Sequence, residues 1–370
     1  MDVALVNSVD ATGGVGLYAR QVAEHADTDI SVTHYFLNKE TRELVRRGPS
    51  DDREVVAEAN LTRSIGGRVG TMASFFELAR SIPETYDLYH VADQNLAPLC
   101  LLPRLTPTVV TVHDLVYRVR GASEVDSRVG RVLYAGLHTA DRIVTVSQST
   151  ADDVVRFGYA TDPSVVYNGV GSAFEPASDT EVTEFAAEHD LDADRYVLSI
   201  DADKPRKNVA ATIRVFEEIR RRVPGDVRLL RTKPLEEAGT VAAELGVEGD
   251  IDVVGPVRWD RLPTVYSLGD VLISTSMYEG FGLPALEAMA CGSPVVVSDV
   301  GSYPEVVGDA GFVEPVGQED AFVTDGVELL TNPETRRRYE RRGRKRADEF
   351  SWRQCGEATS RVYRQCVADG

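Results

Sequence analysis

Glu279-Gly280-Phe281-Gly282-Leu283-Pro284-Ala285-Leu286-Glu287 carries two glycines, one proline and a glutamate at each end. Gly280 and Gly282 free the backbone to approach a ligand closely. Pro284 suits the first turn of a helix, where its missing N–H costs nothing. Residues 285–290 are strongly helix-forming, Gly292 caps them, and Pro294 leads into the apolar run Val295-Val296-Val297. The stretch therefore reads as a glycine-rich loop that delivers a helix N-terminus, and such a terminus attracts phosphate. Glu279 lies in the loop and Glu287 about one turn inside the helix. They need not share a face to reach one elongated ligand.

On either side of this stretch, short apolar strands alternate with helical patterns, which signals an α/β architecture with parallel sheets. Val3-Ala4-Leu5-Val6, residues 30–36, residues 88–91, Val109-Val110-Thr111-Val112, residues 142–146 and Val165-Val166-Tyr167 read as strands of a first half. The period restarts at Tyr196-Val197-Leu198-Ser199-Ile200, and strands follow at residues 228–230, 251–254, 271–273, 295–297 and 311–313. The boundary falls near residue 173. Two doubly wound halves facing each other would place a ligand cleft at the carboxyl ends of their strands.

Length agrees with this division: 370 residues at roughly 100–200 per domain gives two domains. No apolar run reaches the roughly 18 residues of a membrane span. Met1-Asp2-Val3-Ala4-Leu5-Val6 lacks a basic leader and starts as a strand, so a signal peptide is not expected. Cys100, Cys291, Cys355 and Cys366 make no CxxC pair and no metal-finger spacing, which fits a reduced cytoplasm.

The formal net charge of −19 argues against nucleic acid as a partner, because phosphate contacts need surplus Lys and Arg. Lys is found only at positions 39, 204, 207, 233 and 345. Acidic excess with scarce Lys reads as the hydrated surface of a salt-loving organism's protein. A GC-rich genome is the other explanation. Residues 336–346 hold eight bases against the single acid Glu340. A solvated helix face is the simpler reading, and a membrane-surface or anionic-partner site is the sharper one.

The run from Ser276 to Gly292 resembles the signature of a known family, the retaining glycosyltransferases of family 4 (glycosyltransferase group 1). So does Gly301-Ser302-Tyr303-Pro304-Glu305-Val306-Val307-Gly308-Asp309-Ala310. The likeness continues, in the family's order, through Asp114, Asp141-Arg142-Ile143-Val144-Thr145-Val146-Ser147, Val166-Tyr167-Asn168-Gly169-Val170, Pro205-Arg206-Lys207-Asn208 and Phe350-Ser351-Trp352. It implies the α/β GT-B fold, two Rossmann-like domains with parallel sheets facing a central cleft. Residues 1–172 would form the acceptor-side domain and 173–350 the nucleotide-sugar-binding domain. Residues 351–370 would form a helix crossing back to the first domain.

The resemblance also implies roles. Glu279 contacts hydroxyls of the donor sugar, and Glu287 binds the nucleotide ribose. Backbone N–H groups of Phe281, Gly282 and Leu283 hold sugar hydroxyls and phosphate, in agreement with the helix-terminus reading. Arg206 and Lys207, adjacent cations after a strand, neutralise the leaving diphosphate. Relatives often have Gly-Arg or Gly-Thr at the end of that strand, where this chain has Ser199-Ile200-Asp201-Ala202-Asp203. Lys233 stands where relatives often have a lysine near the nucleotide. Gly14, in the loop Gly13-Gly14-Val15-Gly16, faces donor diphosphate and acceptor. His113 sits beside the reacting sugar, and Ser147 ends a strand on the acceptor side.

The implied reaction moves a hexose from a nucleoside diphosphate sugar to a hydroxyl acceptor, with retained anomeric configuration, in glycan, glycolipid or polysaccharide assembly. Orientation and phosphate stabilisation would be the protein's contribution. No cofactor and no metal are expected, the donor being a co-substrate. Asp201-Ala202-Asp203 has the letters of a metal motif of another transferase fold, but its setting before Pro205-Arg206-Lys207 argues against that role. A lipid-linked or glycan acceptor stays open. So does peripheral contact of a cytoplasmic protein with the inner face of the plasma membrane. Arg63, Arg68 and Phe75-Phe76 would meet lipid or acceptor, or else are buried aromatics at helical spacing. Two other classes compete. Gly14-Val15-Gly16-Leu17-Tyr18-Ala19 fits GxGxxA, which points to a nicotinamide-dependent oxidoreductase; that reading leaves Glu279 and Glu287 unexplained. A non-catalytic sugar-nucleotide-binding protein on the same fold is the other.

Overall fold

The computed structural model describes residues 1–8, 13–37, 43–48, 53–58, 79–102, 104–119, 130–131 and 133–369. Arg63, Arg68, Phe75 and Phe76 lie outside the described residues. The chain divides into two compact units. One contains the described residues up to Gly169 and the chain from Trp352 onward; the other contains Val170–Ser351.

The first unit is an eight-stranded sheet in the order β4-β3-β2-β1-β5-β6-β7-β8. Its strands are β1 (Asp2–Asn7), β2 (Ser31–Leu37), β3 (Glu43–Arg47), β4 (Arg53–Glu58), β5 (Leu88–Val91), β6 (Thr108–Val112), β7 (Arg142–Thr145) and β8 (Ser164–Val165). Strands β2, β1, β5, β6, β7 and β8 pair in parallel along the sheet, whereas β3 and β4 add an antiparallel edge beside β2. Val3, Ala4, Leu5 and Val6 of central β1 are all buried, so both faces are covered and the run is apolar without alternation. Helix α1 (Gly14–Glu24) follows β1, and α2 (Gln148–Arg156) follows β7. The last helix of the chain (Trp352–Asp369) belongs to this unit. Tyr363 on it meets His90 of β5 through a 2.6 Å hydrogen bond, and its Ser360 hydroxyl accepts the Asp27 amide at 3.0 Å.

The second unit has six strands in the order β11-β10-β9-β12-β13-β14, all paired in parallel. These are β9 (Arg195–Ser199), β10 (Val227–Arg231), β11 (Ile251–Val253), β12 (Val271–Ser274), β13 (Val295–Ser298) and β14 (Phe312–Glu314). Helix α3 (Asp179–Glu188) precedes β9, the strands are joined by α4 (Val209–Arg222), α5 (Ala238–Leu245), α6 (Leu262–Leu268), α7 (Leu283–Ala290) and α8 (Tyr303–Val307), and α9 (Glu319–Thr331) and α10 (Pro333–Ala347) complete it. Its core packs Val197 and Leu229 of the sheet against Ile213, Phe216 and Ile219 of α4 and Phe322 of α9. The chain lays β10 and β11 on one side of β9, then returns to lay β12, β13 and β14 on the other. The order thus reverses between β9 and β12. In a doubly wound sheet that switch point opens a crevice at the strands' carboxyl ends. Among the described residues no helix is long and apolar enough to cross a membrane.

Candidate functional site

Two loops meet at the β9/β12 switch point. After β9 the chain reaches a short 3-10 turn, Pro205–Lys207, and leaves it through Asn208 in the left-handed conformation (φ 49°) into α4. Asn is among the few residues that adopt that backbone readily. After β12 the chain runs through Thr275 and Ser276 to Glu279. The loops are joined by the Met277 amide, which donates to the Arg206 carbonyl at 2.7 Å. The Thr275 hydroxyl adds a bond to the Asn208 carbonyl at 2.8 Å.

That junction turns Lys207 inward. Its ammonium donates to Asp201 Oδ1 at 2.6 Å and to Glu279 Oε1. Arg206 Nη1 lies 3.9 Å from Glu279 Oε2. Ser276 donates its hydroxyl to Glu279 Oε1 at 2.9 Å. Ser274 donates to Asp201 Oδ2 at 2.7 Å and accepts from the Tyr303 hydroxyl at 2.9 Å. Asp201, Lys207 and Glu279 are all buried, at 8%, 8% and 6% exposure. Burial alone pushes the Lys207 ammonium down, but the charges of Asp201 and Glu279 outweigh it and its pKa is raised. Burial likewise pushes the Asp201 carboxyl up, and Lys207 brings it net below its usual range. The sequence placed Glu279, Arg206 and Lys207 in one site, and the structure brings these three together.

Asp201 and Arg231 were not foreseen in it. Arg231 ends β10 and is fully buried. Its guanidinium donates to Ser199 Oγ at 2.5 Å, to the Asp201 carbonyl at 2.9 Å and to the Lys233 carbonyl at 3.3 Å. Burial lowers its pKa, opposed by the Asp201 charge. The available signal was an arginine closing an apolar strand, together with the acidic stretch Asp201-Ala202-Asp203 after the preceding strand. Asp201 and Asp203 point to different partners. Asp203 accepts the backbone amides of Glu236 and Ala238 at 2.7 and 2.9 Å, beside the start of α5. Lys233 is exposed, and only its carbonyl is bonded within this group.

Gly282 is the N-cap of α7, with φ 84°. A Cβ there would lie 2.5 Å from the Tyr303 ring, so only glycine fits. The amides of Gly282 and Leu283 meet no acceptor among the described residues, as expected at the open end of a helix. The Phe281 side chain is buried and stands edge-on to Phe350 at 6.0 Å. Gly301 backs this loop with φ 54°; a Cβ there would sit 2.0 Å from the Glu279 carbonyl oxygen. Further along α7, Glu287 is buried and accepts the Tyr266 hydroxyl at 2.7 Å. Burial raises its pKa to about 7, against the lowering effect of that hydrogen bond. The two motif glutamates therefore differ sharply, one among cations and one without.

Gly14, His113 and Ser147 belong to the first unit. Gly14 is the exposed first residue of α1. His113 follows β6 and donates Nε2–H to the Ala92 carbonyl at 3.0 Å, its ring edge-on to Tyr18 at 4.8 Å. Burial lowers its pKa, so the ring is neutral. Ser147 caps α2, accepting the Thr150 amide at 3.1 Å, and is fully buried. This bond gives it a structural task. Sequence reading missed the buried chain beside His113: Thr111 Oγ1 lies 2.9 Å from the Tyr18 hydroxyl and 2.8 Å from His90 Nε2. Burial lowers the His90 pKa to about 3.

Residues 12–173 match the profile described as Glycosyltransferase Family 4, and residues 181–346 match Glycosyl transferases group 1. The O-antigen chain mannosyltransferase B of Escherichia coli is 29% identical over 95% of this chain and 96% of its own. The alpha-maltose-1-phosphate synthase of Mycolicibacterium smegmatis is 32% identical over 71% of this chain and 74% of its own. Among solved structures, Anabaena HepE in complex with UDP-glucose superposes with a TM-score of 0.75 at 16% identity, covering all of both chains. The chain is a member of the group 1, family 4 glycosyltransferases and has their GT-B fold.

Proposed function

We propose that the protein transfers a hexose from a nucleoside diphosphate sugar to a hydroxyl of a glycan or lipid-linked acceptor, with retention at the anomeric carbon. The observation that carries this reading is the Arg206–Lys207–Glu279 cluster beside the open N-terminus of α7. The two cations and the amides of Gly282 and Leu283 suit a diphosphate. The Glu279 carboxylate, held by Lys207 and Ser276, suits sugar hydroxyls. Glu287 suits the ribose. HepE's complex with UDP-glucose and the mannosyltransferase relative support a nucleotide hexose as donor.

In the step proposed, the sugar–phosphate bond breaks and the pair of electrons leaves with the diphosphate. Arg206, Lys207 and the helix terminus stabilise that charge. The acceptor oxygen attacks the same face, and its proton passes to the departing phosphate oxygen. No protein nucleophile, cofactor or metal takes part. Gly14, His113 and Ser147 keep only the roles that family resemblance implies, and Lys233 is assigned to the nucleotide on the same ground.

Melting temperatures against UDP-glucose, GDP-mannose and other nucleotide sugars, in high salt, select the donor, because ligands of the native state raise the transition. Proton NMR of the product then reads the anomer. No binding across the panel, or an inverted product, overturns the proposal. Turnover is expected to persist in excess EDTA; loss that a divalent cation restores would overturn the metal-free step.

A further inference from the structure

We propose that Asp201 is a positioning residue for glycosyl transfer: its carboxylate holds the Lys207 ammonium, charged and aimed, against Glu279. This rests on Lys207 being the diphosphate-binding cation argued above. A lysine carries its charge on a flexible four-carbon stem, so a buried lysine needs partners both to fix its direction and to stay protonated. Glu279 alone supplies one. Asp201 supplies the second at 2.6 Å, from Lys207's own loop, facing Glu279 of the other.

An acid so close to a diphosphate site repels the ligand unless it is neutralised, and the surroundings of Asp201 do this. Oδ1 accepts from Lys207 and Oδ2 from Ser274. Arg231 of β10 pins the Asp201 carbonyl at 2.9 Å, and its buried charge acts on the carboxylate. The ionisable groups facing Lys207 and Asp201 are thus Arg206 of the turn, Arg231 of β10, Glu279 of the loop before α7, Tyr303 of α8 and Tyr266 of α6. Arg206, Lys207 and Arg231 stand around Asp201 and Glu279, and Asp203 adds its charge on the Arg231 side. In this chain the acid and the buried arginine are joined directly, through the Asp201 carbonyl.

Asp201→Asn keeps the shape and removes the charge. Lys207 then faces one carboxylate under the same burial, so it loses its proton at lower pH. Affinities for UDP and GDP are measured for wild type and variant from about pH 7.5 to about pH 10. Titration of the nucleotide itself cancels in their ratio. The wild-type advantage is expected to grow by about tenfold or more across that range, the worth of one charge-assisted contact. Asp201→Glu, which restores the charge, is expected to flatten the ratio even if its affinity is lower. A purely structural role for Asp201 would change affinity or melting temperature without this pH dependence. A ratio for Asp201→Asn constant within about twofold overturns the proposal. Lys207→Ala separates the two levels. If it loses UDP and GDP affinity by about tenfold at neutral pH while Asp201→Asn shows a flat ratio, only the positioning role fails. If Lys207→Ala binds both nucleotides like wild type, the reading of Lys207 as the diphosphate cation fails, and the positioning proposal fails with it.

Discussion

Glu279 and Glu287 stand at the two ends of one short motif, yet burial treats them differently. Glu279 is balanced by Lys207 and Arg206. Glu279→Gln retains its size and removes its charge. At neutral pH, where Lys207 remains protonated through Asp201, the variant is expected to lower kcat by about 100-fold or more while changing UDP or GDP affinity by less than about threefold. A steady-state assay beside a binding titration checks this, and a near-normal kcat would remove Glu279 from the site. Glu287 has a hydroxyl and no cation, and its pKa rises from 4.5 to about 7. In that interval the folded protein holds a proton that the unfolded chain has lost. Stability from this group is therefore greatest below pH 4.5 and declines as pH rises to about 7, by up to about 3 kcal/mol. Glu287→Gln is expected to raise the melting temperature at pH 8, to raise it little at pH 5, and to weaken nucleotide binding about tenfold. Equal melting temperatures at pH 8 would contradict the assigned burial cost. Glu279 and Glu287 were legible because glycine, proline and spacing surround them. Asp201 and Arg231 were not, because burial of a charge is decided by residues 30 or more positions away in sequence: Arg231 follows Asp201 by 30 and Ser274 by 73.

The elements that sequence reading recovered best are those whose local chemistry agrees with their tertiary setting. Val271–Ser274 is a fully buried strand, Gly282 starts α7, and the apolar Val295–Ser298 follows. The antiparallel pair β3 and β4 was missed. Glu43, Arg46, Arg47, Arg53, Glu54 and Glu58 fill it with charge, and Arg46 pairs with Glu54 at 3.3 Å. Charged residues on an edge strand discourage pairing with another chain, and they also erase the apolar signature of a strand. Strand β8 proved shorter than the run 165–167 suggested, ending at Val165. At the same scale, the loop before α7 depends on the segment before α8. Gly301→Ala combines left-handed strain of about 1–2 kcal/mol with a Cβ only 2.0 Å from the Glu279 carbonyl oxygen. The loop must shift to admit the methyl group. Transfer is expected to fall about tenfold or more at temperatures well below melting. Normal kcat with a merely lowered melting temperature would show that Glu279 tolerates movement of its backbone.

Across the whole molecule, charge is the property least explained by the site. The buried cluster around Lys207 involves five ionised side chains, while the formal net charge is −19. The excess acids therefore lie mainly outside it. Surface self-repulsion on this scale opposes the compact state, and dissolved salt relieves it, since screening lengths fall from about 10 Å at 0.1 M to about 3 Å at 1 M. If the acidic, lysine-poor composition is an adaptation to salt, the melting temperature rises by about 10 °C or more between 0.2 and 3 M KCl, and transfer activity persists at the upper end. If the composition only reflects a GC-rich genome, the melting temperature changes little and activity falls, because the diphosphate contacts of Arg206 and Lys207 weaken with salt. Those contacts are partly shielded from that loss. Lys207 is 8% exposed and its ion pairs are buried, so screening acts on it less than on surface charge. Measuring stability and nucleotide affinity over the same KCl series separates the effects. A rising melting temperature with affinity reduced less than about threefold fits a salt-adapted surface around a buried site. A flat melting temperature would return the −19 to mere composition.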